Sequence, residues 1–176
     1  MYTHKIGHVL SPKLKNIVDV DDPNKQLGTI KRFEIHGFEY LFIEDMRIFF
    51  KARWRIFDNE QRLVFKGRRK FPFITKNYIV NYFESEPQVT HDITIHQKLF
   101  PEKTDYPYFY FNDECYTLRY DFFEWSTIVN EDTGSTIASW KLIREPNKQV
   151  YFELLDPTMA QHQLLFLGIF NTIFEY

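Results

Sequence analysis

Residues 164–176 read LLFLGIFNTIFEY, an apolar run in a chain whose 26% charged content is ordinary for a globular protein. Just upstream, Asp156-Pro157 supplies a helix start: Asp as N-cap, then Pro at the first helical position, where its missing N–H costs nothing. No Pro follows as far as Glu175, so the pattern predicts one helix over 157–175. At about 1.5 Å per residue it spans roughly 28 Å. On a wheel of 100° steps, Leu165, Phe166, Leu167, Ile169, Phe170, Ile173 and Phe174 fill one arc. That arc is roughly 200° wide, about twice that of a surface helix. Gln161, Gly168, Asn171, Thr172 and Glu175 share the remaining sector with Leu164. A single sheet cannot cover so wide an arc. The apolar run is also shorter than the about 20 residues a bilayer span requires. The helix is therefore expected inside the protein, with strands around it.

The rest of the chain supplies those strands. Short β-branched or aromatic runs flank polar turns in NIVDVDDPNKQLGTIKRF (16–33), RWRIFDNEQRLVFKGRRK (53–70) and YFYFNDECYTLRY (108–120). The pattern repeats in WSTIVNEDTGSTIASWKL (125–142) and WKLIREPNKQVYFELLD (140–156). The turns DDPNK, DNEQ, NDE, NEDTG and EPNK carry the Asp, Asn, Pro and Gly that tight turns use, so each unit reads as a β-hairpin. Weaker strands are expected at 3–10, 35–43, 46–51, 78–84 and 91–97, although 39–51 also reads as one helix. About a dozen strands without a linker suggest a sandwich or a barrel. The 19 Phe, 11 Tyr and 3 Trp favour strands and fill wide interiors. A closed sheet of about twelve strands is too wide for side chains alone to fill. The Phe-rich helix is the expected plug, which gives one α+β, mostly β domain over 1–176: an antiparallel barrel around a helix.

A β-rich chain of this size, made of hairpins and closed by a hydrophobic helix, resembles the tubby C-terminal-like superfamily. That group contains tubby, the phospholipid scramblases, the plant LURP-one-related proteins and small bacterial relatives. The likeness lies in RWRIFDNEQRLVFKGRRK, in WSTIVNEDTGSTIASWKL and in the ending LLFLGIFNTIFEY. The resemblance implies a twelve-stranded barrel around a helix, no common catalytic residues, and a binding or scaffold role. Tubby itself binds phosphoinositide headgroups through paired basic residues. The chain lacks the Cys-rich and Pro-rich stretches of scramblases, so scrambling is not carried over, and tubby's ligand residues are not matched to positions here.

Charge is distributed unevenly. Between Arg47 and Lys70 nine basic residues face only Asp58 and Glu60, a net of +7. The remainder must then carry −9 to give the chain's −2. Arg62, Lys66, Arg68 and Lys70 share one strand parity, as do Arg53 and Arg55 on the partner strand. These six form the expected plate for anionic lipid headgroups, since Arg offers forked donors and Lys a point charge. The plainer alternative is a solvated face balanced by Asp121, Glu124, Glu131 and Asp132. Nucleic acid is disfavoured, because the chain is acidic overall and carries no recognised binding motif.

Other constellations are thinner. In HDITIH (91–96) the two histidines fall on opposite strand faces, and Asp92 with His96 lacks a third ligand, so neither metal nor cofactor is expected. Asp19, Asp21 and Asp22 fail the calcium-loop spacing, with Asn24 and Ile30 where Gly and Glu are needed. Cys115 is the sole cysteine and reads as a small strand residue in a reducing compartment. MYTHKIGHVLSPKLK has no signal-peptide core, so a cytoplasmic protein, peripheral to the membrane, is expected. His4, His8, His36 and His162 read as surface or capping residues. A non-enzymatic protein is expected; the alternative is a small-molecule binder or hydrolase-like enzyme with a pocket at the barrel mouth, using Glu114, Asp121 or His162.

Overall fold

The computed structural model describes residues 1–5, 14–33, 53–69, 77–84, 89–98, 105–121, 124–143 and 149–174. Seven strands come first: β1 (Tyr2–Lys5), β2 (Lys15–Asp19), β3 (Gln26–Phe33), β4 (Arg53–Phe57), β5 (Leu63–Arg69), β6 (Tyr78–Phe83) and β7 (Thr90–Ile95). Five follow: β8 (Tyr108–Phe111), β9 (Glu114–Arg119), β10 (Ser126–Asn130), β11 (Thr136–Ile143) and β12 (Gln149–Leu154). They form one antiparallel sheet in the order β7-β6-β5-β4-β3-β2-β1-β12-β11-β10-β9-β8. Each strand thus lies beside its sequence neighbour, except where β1 pairs with β12, from Tyr2↔Phe152 to Lys5↔Gln149. The two outermost strands meet at a single bridge, where His96 and Tyr108 exchange N–H···O=C bonds of 2.8 and 3.0 Å. The result is a nearly closed barrel of twelve strands with one C-terminal helix, as the hairpin pattern predicts.

The turns form where their chemistry directs. Asn112 and Asp113, with φ of 50° and 63°, make the two-residue left-handed loop between β8 and β9. Asp58 Oδ1 accepts the N–H groups of Glu60 and Arg62, each at 2.9 Å, which closes the β4–β5 turn. The segments 35–43 and 46–51, the alternative helix at 39–51 and the turn at 145–148 lie outside the described residues. The strand expected at 3–10 is described only as far as Lys5.

The helix differs from expectation in its first third. It divides into a 3₁₀ segment, Pro157–His162, and an α-helix, α1, over Gln163–Ile173. Asp156 caps it, its Oδ1 accepting Thr158 N–H at 2.9 Å. The division falls at His162, whose φ of −103° and ψ of 9° leave the helical region. There the imidazole is held by the barrel wall, and a tighter i→i+3 turn leads into the helix proper.

Burial of α1 exceeds the predicted arc. Every residue from Leu165 to Thr172 is buried, including Gly168, Asn171 and Thr172 from the polar sector of the wheel. Asn171 Nδ2 donates to Leu167 O and Thr172 Oγ1 to Gly168 O, both at 2.8 Å, so the helix satisfies its own polar side chains. Close approach makes this possible. A Cβ on Gly168 would fall 2.5 Å from a Phe65 ring carbon, and one on Gly67 would overlap the Thr172 hydroxyl. Opposite β5, Trp140 stacks on Phe170 and Phe174 at centroid distances of 5.9 and 4.6 Å. Phe166 and Phe170 are fully buried, each stabilising the fold by about 2–3 kcal/mol.

Candidate functional site

Alternation along β3, β4 and β5 sorts their side chains into two faces. Ile30, Trp54, Ile56 and Phe65 are buried in the core, so Lys31, Arg55 and Lys66 project outward. Register then sets these three cations side by side: Lys31 opposes Arg55, and Arg55 opposes Lys66. With about 4.8 Å between neighbouring strands, the row is roughly 10 Å long. Arg68 lies two residues beyond Lys66 on the same outward face and is exposed. Lys66 Nζ sits 5.2 Å from the centroid of the Phe83 ring, which steadies its stem. Arg53 lies in β4 beside Phe33, and Lys70 lies outside the described residues.

Arg62 is separated from this row. A bulge pairs Ile56 with Phe65 but Phe57 with Leu63, so Val64 is an extra residue and strand parity restarts. Arg62 lies in the turn before β5, its guanidinium 2.8 Å from both Asp58 Oδ2 and Glu60 Oε2. The sequence window also misses Lys31, which joins the row only through the β3–β4 register. The acids named as counterweights are across the barrel. Sheet order sets β9, β10 and β11 diametrically opposite β4 and β5. There Glu131 pairs with Arg119 at 3.1 Å and Glu124 with Lys141 at 3.5 Å.

A second polar group lies at the mouth where the 3₁₀ segment enters. Contrary to the surface or capping role expected of it, His162 is 4% exposed and makes no side-chain cap. Its Nδ1 lies 3.3 Å from Tyr82 Oη and 3.5 Å from Glu84 Oε1. His91 reaches the same carboxylate oxygen with Nε2 at 3.0 Å. Tyr82 donates to Gln161 O at 3.2 Å, and the Gln161 amide nitrogen approaches His162 Nε2 at 2.9 Å. An amide donor at Nε2 makes that nitrogen an acceptor and leaves the Nδ1 proton facing Glu84. Phe111 packs edge-on against both imidazoles, at 5.0 and 4.9 Å.

Burial drives the electrostatics of this mouth. Desolvation holds the His162 pKa below the ordinary histidine value, and His91 lowers it further, while Glu84 acts in the opposite sense. Desolvation, then the Glu84 charge, pushes the Tyr82 phenol up, so it remains a donor. Beside these groups is a cavity of about 220 Å³, walled by Val64, Phe83 and Leu164. The expected partners Glu114 and Asp121 do not reach it. Glu114 Oε2 accepts from Tyr116 Oη at 2.6 Å and Asn130 Nδ2 at 3.0 Å, and Asp121 Oδ1 accepts Glu124 N–H at 3.1 Å. Glu84, His91 and Tyr82 take their place, brought in by β6 and β7. As sequence parity predicts, His91 faces inward, whereas His96 stacks outside on Tyr108 at 5.0 Å. Among the described residues no three His, Cys, Asp or Glu side chains are arranged to hold a metal ion.

The family model of the Tubby C-terminal like domain matches residues 10–176. The chain belongs to this family. Membership agrees with the barrel, with the helix inside it and with a tubby-like binding or scaffold role. No curated protein and no solved structure matches the chain significantly. The tubby-like family is generally non-enzymatic. No helix among the described residues is long and apolar enough to cross a membrane.

Proposed function

We propose that this tubby-like protein is a non-enzymatic binding or scaffold domain, 1–176, that contacts anionic membrane headgroups through the outer face of β3, β4 and β5. One observation carries the reading: the cross-strand row Lys31, Arg55, Lys66. Each basic residue near an anionic surface contributes about 1 kcal/mol, and the row sets three of them within reach of one surface. Arg68, Arg53 and Lys70 extend the same basic hairpin. The reading assigns a cytoplasmic location, peripheral to the anionic leaflet, with no nucleic-acid partner and no cofactor. Co-sedimentation with phosphatidylcholine vesicles, with and without about 30% phosphatidylserine or a phosphoinositide, tests it at low salt. Partition onto the anionic vesicles alone, weakened by added salt, is expected. Absence of binding at about 20 mM salt ends the proposal.

A second reading has its own observation. Glu84, His91, His162 and Tyr82 converge beside the mouth cavity, an arrangement suited to a small-molecule binder or hydrolase-like enzyme. Turnover of a panel of chromogenic esters and phosphates that disappears in Glu84→Gln would favour it over the lipid reading.

A further inference from the structure

The outer face of β8 alternates in a way the core does not require. In YPYFYF (106–111), Pro107, Phe109 and Phe111 turn inward, while Tyr106, Tyr108 and Tyr110 are 37%, 40% and 59% exposed. Three open tyrosines in succession are unusual on a protein surface, and Tyr is a preferred recognition side chain because it offers a large ring at low entropic cost. Their orientation is held: Tyr108 stacks on His96, and Tyr110 meets Tyr108 edge-on at 6.2 Å. Beside them, where β7 and β8 meet at the single bridge, lies a groove of about 670 Å³. That volume lies inside the roughly 300–1,000 Å³ range of ligand clefts.

The chemistry of the groove narrows its ligand. Lys98 and Arg119 are matched by Asp105 and Glu131, at 2.7 and 3.1 Å, so among the described residues the charged lining is balanced, unlike the cationic face of β3–β5. A balanced lining gives no net attraction for an anion or a cation. Carboxylate, guanidinium and amide groups nevertheless present paired donors and acceptors, and Asn77 and Gln97 add two amides. Glu131 also accepts the Thr117 hydroxyl, which fixes its carboxylate. Vicinal hydroxyls on a saturated ring meet such forks two at a time, and the ring's C–H face stacks on an open aromatic. A proline-rich peptide would use the tyrosines but leave most of these forks unmatched.

We propose that the groove at the β7–β8 seam is a binding site for a neutral saccharide, with Tyr106 and Tyr108 as stacking platform and Asp105, Arg119 and Glu131 as hydroxyl partners. It lies apart from both the basic row and the mouth cavity. The full chain is titrated with maltotriose, cellotriose and chitotriose, followed by calorimetry and by amide chemical shifts. Saturable binding of at least one trisaccharide is expected, with shifts centred on 96–98, 105–108 and 117–119. Tyr108→Ala and Arg119→Met should each weaken it at least about fivefold, while Tyr108→Phe, which keeps the ring, retains it. Lys66→Glu should leave it unchanged. No saturation by any of the three sugars up to about 10 mM overturns the proposal. So does binding that is indifferent to both Tyr108→Ala and Arg119→Met in folded variants, or binding of a proline-rich peptide in place of the sugars.

Discussion

The outer row on β3–β5 and the mouth beside His162 both gather polar groups, but under opposite physical conditions. Half-buried Lys31, Arg55 and Lys66 and exposed Arg68 lie on the outer face, where charge costs less to maintain and strand register sets it side by side. Tyr82 and His162 are each 4% exposed, and Glu84 and His91 have only 17% and 21% of their side chains open to solvent. At the mouth every polar atom must find a partner or destabilise the fold. The outer row should therefore govern binding with little effect on stability, and the mouth should govern stability and its dependence on pH.

The largest expected effect is on the outer row. Reversing three charges, Lys31→Glu with Arg55→Glu and Lys66→Glu, should remove about 3 kcal/mol or more of anionic-vesicle binding, over a hundredfold. The midpoint of urea unfolding should change less than binding does, because replacements on the outer face of a sheet, away from the core, usually cost about 0.5 kcal/mol each. A large loss of stability with binding retained would invert the comparison.

At the mouth, Glu84→Ala should destabilise by about 2 kcal/mol, since it removes the half-buried carboxylate that His91 Nε2 and His162 Nδ1 both approach. Urea unfolding measures it, with Glu84→Gln falling between the variant and wild type. Vesicle partition of the folded protein should be unaffected.

These two regions also differ in how far the amino-acid order reveals them. The barrel and its enclosed helix follow from short-range rules: period-two strands, turn residues between them and a wide apolar arc at 165–174. The basic hairpin follows from counting charge. Lys31 does not, because it belongs to another hairpin and reaches Arg55 only through register. Arg62 reads as part of the plate because parity was counted through Val64, where the bulge restarts it. The mouth is less legible again. Glu84, His91 and His162 lie on three elements, and only the order of β6 and β7 beside the 3₁₀ segment unites them. Full burial of Asn171 and Thr172 was hidden for a different reason: both bond back to carbonyls of their own helix, so polarity did not mark exposure.

A smaller effect tests the mouth through pH. His162 has a depressed pKa in the folded protein, so between its folded value and the unfolded value near 6.5 the unfolded chain binds more protons. Stability then rises with pH across that window and is lost on acidification from about 6.5 downwards, at no more than about 1.4 kcal/mol per pH unit for one proton. Asp58 and Glu84 on the cavity wall, and His91 beside Glu84, also carry ionisable side chains facing this region, so the comparison is between wild type and His162→Gln. The variant's unfolding midpoint should depend less on pH between about 5 and 7. An unchanged slope would mean that the imidazole is not held neutral by its burial.

The smallest effect separates the row from its neighbour in sequence. Arg62→Ala removes a basic residue from the +7 segment, so if membrane contact followed segment charge, binding should fall by about 1 kcal/mol. The guanidinium is instead engaged by Asp58 and Glu60 at the turn, 2.8 Å from each. Its removal leaves the row intact and exposes two carboxylates at the end of the hairpin. Vesicle partition should therefore change by less than about twofold, and stability by less than about 1 kcal/mol, the usual worth of exposed ion pairs. A loss of binding equal to that of Lys66→Ala would show that segment charge, rather than the cross-strand row, recognises the surface.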